Sequence, residues 1–336
     1  MPVRLGINGF GRTGRALLRS VLASHHEFEV VAINDLGSPV ALARLFARDS
    51  VHGRYPDPVT VEDTIMVVGA RRIRMLAEPD PKALPWGELG VDVVVESTGK
   101  GTSRESATAH LEAGATRVVI SAPAHDPDAT LVVGVNEDQF DPSHDFIISN
   151  ASCTTNCLAV LAKVLDDAFG IEDGFMTTVH AYTGDQQLVD SLHKDPRRSR
   201  AAAVNIVPTT TGAARATGLV LPTVSGVLDG LALRVPVPDA SIVDLVANVR
   251  TSATVSDIKD AYRVASGAGR LAGLLEYSEE PLVSSDIVGS PASCVFDSEL
   301  TMAHGRLVKV LGWYDNESGY SSRLADLAAI VGAAGR

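Results

Sequence analysis

Two cysteines one helical turn apart, Cys153 and Cys157, stand in the run Ser152-Cys153-Thr154-Thr155-Asn156-Cys157, and His180 closes the apolar run 175–179 further along. The first cysteine falls just past a strand pattern and at the mouth of a helical one. A thiol there meets the positive end of the helix dipole, which lowers its pKa and raises its thiolate fraction. Cys153 is therefore a candidate nucleophile. His180, at a strand end, is placed to accept its proton and later to return one to a developing oxyanion. Both cysteines also fit small buried hydrophobes, and His180 fits an ordinary surface histidine among nine. Residues i and i+4 of a helix hold their Cβ atoms ~5–6 Å apart, against the ~3.5–4.5 Å of a disulfide. No further Cys or His stands at zinc spacing, so no metal site is expected.

A second chemistry-bearing group is basic. His193-Lys194-Asp195-Pro196-Arg197-Arg198-Ser199-Arg200 is followed by Thr209-Thr210-Thr211-Gly212. Guanidinium forks with hydroxyl and backbone donors suit a bound phosphate; a solvated loop or a subunit contact fits equally. Near the start, Gly9-Phe10-Gly11-Arg12-Thr13-Gly14 matches G-x-G-x-x-G between a strand and a helix, the context that a dinucleotide site requires. Gly9 permits the tight turn, Gly11 lets the backbone approach a pyrophosphate, and Gly14 lets helix pack on strand. Asp35 lies about 20 residues beyond Gly14, where an acid holds the adenosine ribose 2′-hydroxyl and favours NAD over NADP. It also fits a helix cap before Pro39.

These groups need a scaffold, and the apolar pattern outlines one. Short, nearly continuous apolar runs at 3–7, 30–33, 91–95, 118–120, 131–135 and 146–148 read as strands buried on both faces of a parallel sheet. Leu17, Leu18, Val21 and Leu22 recur at helical spacing between the first two. Residues 1–150 are thus expected to form a doubly wound, Rossmann-type α/β domain. A helix is expected over 154–169. Beyond it, Leu231, Leu233, Val235 and Val237 alternate with Ala232, Arg234 and Pro236, which predicts an antiparallel sheet with Arg234 facing a cleft. An α+β catalytic domain over 151–318 follows, with a last helix, 319–336, packing back on the first domain.

Composition bounds the partners. The chain has 336 residues, 45% of them hydrophobic and 21% charged, with a formal net charge of −12. Length favours two domains, the apolar content excludes a mainly disordered chain, and the acidic balance argues against general nucleic-acid binding. Three cysteines make a disulfide framework implausible. The first ten residues lack a signal-peptide pattern and no run of 18 apolar residues occurs, so a cytoplasmic protein that does not engage membrane is expected.

Several of these motifs together resemble one family. Ala151-Ser152-Cys153-Thr154-Thr155-Asn156-Cys157, His180-Ala181-Tyr182-Thr183, Pro208-Thr209-Thr210-Thr211-Gly212-Ala213-Ala214, Tyr314-Asp315-Asn316-Glu317 and the opening Gly6-Ile7-Asn8-Gly9-Phe10-Gly11-Arg12 are similar to motifs of phosphorylating glyceraldehyde-3-phosphate dehydrogenases, in that family's order. The resemblance implies a homotetramer that oxidises glyceraldehyde 3-phosphate to 1,3-bisphosphoglycerate with NAD and inorganic phosphate. It assigns Cys153 as nucleophile and His180 as base. Thr183 and Arg234 match the substrate-phosphate site, and Ser152, Thr154, Arg198, Thr211 and Gly212 match phosphate positions. Arg12, Thr13, Asp35, Ser121 and Asn316 match cofactor positions, Asn316 at the carboxamide. Three departures stand out. Pro79 replaces a basic residue met in many relatives, Ser191-Leu192 replaces a Leu-Pro pair common in strictly NAD-preferring members and leaves room for NADP, and Ser318 replaces a tryptophan. The last raises a specialised isozyme tolerant of an electrophile aimed at Cys153. Erythrose-4-phosphate dehydrogenase and a non-catalytic nucleotide-binding redox sensor are the competing readings.

Overall fold

Glycine turns separate short β-branched runs in the first part of the chain, and the computed structural model, which describes residues 1–334, shows what they build. Strand β1 (Val3–Asn8) leads through the glycine turn into helix α1 (Arg12–Ala23) and strand β2 (Phe28–Asn34). Helix α2 (Pro39–Ala47), a short hairpin of β3 (Arg48–Asp49) and β4 (Gly53–Arg54), and a meander of β5 (Val59–Glu62), β6 (Ile65–Val68) and β7 (Arg71–Leu76) follow. Then come β8 (Val93–Glu96), α3 (Arg104–Glu112), β9 (Arg117–Ile120), β10 (Ala129–Thr130) and β11 (Ile147–Ser149). Nine of these strands form one sheet in the order β10-β11-β9-β8-β1-β2-β7-β6-β5. It is parallel from β10 to β7 and antiparallel across the meander. The chain runs outward from β1 in both directions, to β2 and to β8. That makes the β1/β8 boundary a topological switch point, where the carboxyl ends of parallel strands open a crevice.

Contacts divide the chain into two units. The first is Met1–Val133 with Glu137–Ala151 and the C-terminal stretch from Ser321; the second is Ser152–Tyr320 with Gly134–Asn136. The division falls inside the last helix, α8 (Ser318–Ala333). Its Leu324, Leu327, Ala328 and Val331 are buried, and a Cβ at Gly332 would lie 2.5 Å from Val3 Cγ1, so this helix lies directly on β1. Gly335 and Arg336, which the expected last helix included, lie outside the described residues. One strand expectation changes. The run 131–135 pairs only over the two residues of β10 just before it, and from Val133 it is a turn. Leu131, Val132 and Val135 are buried all the same, and apolar content alone does not distinguish a buried strand from a buried turn.

The second unit begins with α4 (Cys153–Phe169) and β12 (Ile171–Ala181). It continues with β13 (Val207–Thr210), α5 (Ala213–Val220), β14 (Leu228–Val235), β15 (Ser241–Val249) and α6 (Val255–Gly267), then β16 (Leu275–Ser278), α7 (Ser284–Ile287), β17 (Cys294–Asp297), β18 (Met302–His304) and β19 (Leu307–Tyr314). Its sheet runs β13-β14-β12-β15-β19-β17-β16, mostly antiparallel, with β12/β14 and β16/β17 parallel. The alternation expected on β14 is present, but the apolar side faces outward. Ala232 is 2% exposed, whereas Leu231 is 44% exposed. The face under the helices carries Met176, Thr178, His180, Ala232 and Arg234; the open face carries Phe175 and Leu231.

Candidate active site

The nucleophile stands where a strained turn meets a helix start. Ala151 has a φ of 53° although it is not glycine, a conformation costing of order 1–3 kcal/mol that clusters at functional sites. Ser152 is the N-cap of α4: its Oγ accepts from Thr155 N–H at 3.1 Å. Cys153 is thereby the first helical residue, part-exposed, while Cys157 one turn on is buried with its Sγ 3.5 Å from the Gly312 carbonyl. The two cysteines therefore divide between the two sequence readings. Cys157 is the packed thiol, and Cys153 is the accessible one. Burial pushes the Cys153 thiol above its ordinary range, against the Arg234 charge and the amides of the first turn, which pull it down. The amide donors expected at the helix start are present, but burial outweighs them. Thr154 turns inward, its Oγ1 2.8 Å from the Tyr314 hydroxyl, which also meets Thr178 Oγ1 at 2.9 Å.

Cys153 Sγ lies 3.5 Å from His180 Nε2. The other ring nitrogen, Nδ1, is 2.7 Å from the Ala181 carbonyl and 2.8 Å from Arg234 Nη1. The Ala181 carbonyl can only accept and the Arg234 guanidinium can only donate, so the two contacts favour opposite tautomers; we assign the proton to Nδ1, toward the shorter contact, which leaves Nε2 as the acceptor that faces the thiol. Arg234 Nη1 then donates to the Ala181 carbonyl at 3.1 Å and to Thr183 Oγ1 at 3.3 Å. Burial first, and the Arg234 charge second, hold His180 down to about 3. Arg234 is brought here by the parallel β12/β14 register, which pairs it directly with His180. Its Nε is buried with no hydrogen-bond partner among the described residues.

In the loop after β12, Arg198 Nη1 donates to Asp185 Oδ2 at 2.7 Å and Arg198 Nε to Thr209 Oγ1 at 2.9 Å. Thr183 Oγ1 donates to Asp185 Oδ1. Thr183, Arg198 and Arg234 thus belong to one hydrogen-bonded chain with His180. Thr211 and Gly212 stand apart from it at the start of α5, Gly212 as N-cap and Thr211 Oγ1 accepting from Ala213 N–H at 3.2 Å. Asn316 Oδ1 accepts from Ser241 Oγ at 2.9 Å, and that hydroxyl accepts from Ala181 N–H at 3.1 Å, which ties the asparagine to the end of the His180 strand. Ser318 opens α8, and its N–H donates to Asp315 Oδ1 at 2.7 Å.

Within the first unit, a cavity of about 460 Å³ opens at the carboxyl ends of β1, β2 and β8, with Gly9, Gly11, Asp35, Pro79, Ser97 and Thr98 among its lining residues. Gly9 has a φ of +93°, and a Cβ on Gly14 would sit 2.1 Å from the Gly9 carbonyl oxygen. A Cβ on Gly11 would meet nothing within 4 Å, so the turn presents bare backbone to open space. Asp35 directly follows β2, its Oδ2 accepting from Phe10 N–H at 2.7 Å and its Oδ1 from Gly37 N–H at 2.9 Å. The cap of α2 is Ser38, not Asp35. Arg12 and Thr13 begin α1, with Arg12 Nη1 2.8 Å from Asp49 Oδ2. Ser121 follows β9 and donates its N–H to the Glu96 carbonyl at 3.0 Å. An elongated dinucleotide fits this donor set: a bare glycine turn and helix start for a pyrophosphate, and a carboxylate at a strand end for a ribose diol.

The sequence reading missed two groups. Beneath the crevice, Glu96 Oε2 accepts from Asn8 Nδ2 at 2.6 Å and faces His110 Nε2 at 3.1 Å, and Trp86 Nε1 donates to His110 Nδ1 at 3.1 Å. Asn8 Oδ1 in turn accepts from Asn34 Nδ2 at 2.8 Å. These residues lie far apart in the chain, so no local spacing announces them. The second is Asp185, two residues past Thr183, which carries no motif by itself.

Two family models match the chain. The glyceraldehyde 3-phosphate dehydrogenase NAD binding domain covers residues 3–104, and the C-terminal domain of the same family covers residues 152–316. The chain is 58% identical to glyceraldehyde-3-phosphate dehydrogenase 1 of Streptomyces avermitilis over 332 residues, 99% of each protein. It is 54% identical over 336 residues to the glyceraldehyde-3-phosphate dehydrogenase of Geobacillus stearothermophilus, covering all of both. With that of Mycobacterium avium the identity is 57%, over 99% of each.

Proposed function

The chain belongs to the glyceraldehyde-3-phosphate dehydrogenase family, and on that premise we propose that Cys153 and His180 carry the oxidation of glyceraldehyde 3-phosphate to 1,3-bisphosphoglycerate, with NAD and inorganic phosphate. The observation that supports these roles best is the 3.5 Å approach of Cys153 Sγ to a neutral, acceptor-ready His180 Nε2. The thiol gives its proton to Nε2 as Sγ bonds to the aldehyde carbon, and the imidazolium returns a proton to the oxygen of the hemithioacetal. His180 then takes the hydroxyl proton back as hydride leaves the same carbon, which leaves a thioester on Sγ. The nicotinamide ring of bound NAD supplies the hydride acceptor. A phosphate oxygen attacks the thioester carbonyl, the C–S bond breaks, and Cys153 leaves as the sulfur anion.

Other residues orient the substrate. Thr183 and Arg234 hold its phosphate, and Ser152, Thr154 through its backbone, Arg198, Thr211 and Gly212 serve the attacking phosphate. The orphaned Arg234 Nε is a donor suited to an anion. Gly9, Gly11, Arg12, Thr13, Asp35 and Ser121 hold NAD, and Asn316, fixed by Ser241, meets its carboxamide. The apolar outer face around Phe175 and Leu231, 74% and 44% exposed, supports self-association, with a homotetramer as the assembly. Three free cysteines fit a reducing cytoplasm. Among the described residues no helix is long and apolar enough to cross a membrane.

The test is initial-rate NADH formation with and without phosphate. Cys153→Ser abolishes it, because an alcohol is scarcely ionised near neutrality and makes no thioester. His180→Asn retains turnover reduced by the ~10²–10⁴ that general acid–base help contributes. Near-wild-type rates in the Cys153 variant would refute the mechanism.

A further inference from the structure

Asp185 places a carboxylate among the donors assigned to phosphate. Its position is fixed by a tight turn: Gln186 N–H donates to the Thr183 carbonyl at 2.9 Å, and Gln186 Oε1 accepts from Thr183 N–H at 3.3 Å. The turn folds the carboxylate back so that Oδ1 takes the Thr183 hydroxyl proton and Oδ2 takes Arg198 Nη1 at 2.7 Å. Thr183 belongs to the substrate-phosphate side of the site and Arg198 to the inorganic-phosphate side, so one carboxylate bridges both.

From this bridge we infer that Asp185 is a specificity-determining residue that competes with phosphate for Thr183 and Arg198 and thereby sets how tightly phosphate groups are held. The inference rests on the phosphate roles proposed above. A threonine hydroxyl has a single proton, so Thr183 cannot donate to a phosphate while it donates to Asp185. Arg198 has Nε engaged by Thr209 and Nη1 by Asp185, one atom on each of its two bidentate edges, Nε/Nη2 and Nη1/Nη2, so a bidentate grip on an anion through the Nη1/Nη2 edge requires release from Asp185. The Asp185 carboxyl is held below the usual carboxylate range: the Thr183 hydroxyl and the Arg198 and Arg234 charges outweigh the opposing effect of burial. It is therefore an anion throughout the working pH range, and repels the phosphate that replaces it. The advantage to the enzyme lies in release, since a product carrying two phosphoryl groups leaves more readily when an internal anion is waiting to retake the donors.

The experiment compares the full-length enzyme with Asp185→Asn, Asp185→Glu and Asp185→Ser. The dissociation constant of inorganic phosphate is measured calorimetrically without aldehyde, alongside KM for phosphate and for glyceraldehyde 3-phosphate. Asn and Ser should tighten phosphate binding about fivefold, the upper scale of an ion pair that is partly exposed, with KM for phosphate falling in parallel. Glu, which keeps the charge, should remain close to wild type. Unchanged or weaker phosphate binding in both neutral variants, with thermal unfolding confirming that either is folded, would overturn the competition and make Asp185 a mere support for the loop. If instead no protein in the series shows phosphate-dependent turnover, it is the underlying functional reading that fails.

Discussion

At His180 desolvation opposes a proton, and the Arg234 guanidinium adds to it. Burial and the neighbouring Arg234 keep the imidazole neutral down to about pH 3, so the proposed base is in its proton-accepting form across the neutral range. The same shift acts on stability. An unfolded imidazole takes up a proton near pH 6.5, whereas the folded one waits until about 3. Above the unfolded value both states are neutral and the contribution is complete; it is lost as pH falls from about 6.5 towards 3. Between pH 7 and pH 5 that loss should be about 2 kcal/mol from this group. Urea unfolding at the two pH values measures it. His180→Asn should narrow the gap between them by a comparable amount, and an equal gap in both proteins would show that His180 does not titrate differently on folding. The adjacency that depresses His180 is legible only in part. His180 at a strand end could be read from the sequence, but its pairing with Arg234 depends on a parallel register between strands some fifty residues apart in the chain.

The glycine turn between β1 and α1 is the element on which the proposed cofactor choice rests. Asp35 accepts from the Phe10 amide within that turn as well as from Gly37, so the carboxylate proposed to hold a ribose diol also braces the turn. Asp35→Gly should therefore act on two levels. Loss of a hydrogen bond to a charged group, on the order of 1.5–3 kcal/mol, raises KM for NAD roughly tenfold or more, while removal of the negative charge lowers KM for NADP. Paired initial-rate measurements with the two cofactors test this, and an unchanged NAD to NADP ratio would remove Asp35 as the discriminating residue. The Asn34–Asn8–Glu96–His110 chain steadies the ends of the same strands from below. Its carboxylate is held below the usual range, because hydrogen bonds from His110, Thr98 and Asn8 together outweigh burial.

For the whole molecule, the decisive feature is the outer face of the second sheet. Phe175 is 74% exposed and Leu231 44% exposed, while their neighbours in the strands, Met176 and Ala232, are buried at 1% and 2%. Alternation of this kind with apolar residues on both sides is what a sheet shows when one face meets helices and the other meets protein. Phe175→Asp combined with Leu231→Asp should dissociate the proposed homotetramer, seen as a fall in sedimenting mass, and should abolish the rise of thermal stability with protein concentration that an assembly confers. An unchanged mass would place the subunit contacts elsewhere.

The amino-acid sequence by itself determined the alternation of strands and helices in the first unit, the glycine turn with its acid at the next strand end, and the placement of Cys153 at a helix start, because each is a local pattern of spacing and residue type. Period two on β14 was equally plain, yet which side faced the helices was not, since both sides of that strand carry residues able to be buried. The tertiary structure alone decided the rest. It packed Cys157 and left Cys153 accessible, set burial against the helix-start donors at that thiol, turned the apolar run at 131–135 into a buried turn, and brought Asp185 onto Thr183 and Arg198. In each case the deciding quantity is desolvation or charge at a point where distant segments meet, and neither exists along the chain until those segments are folded together.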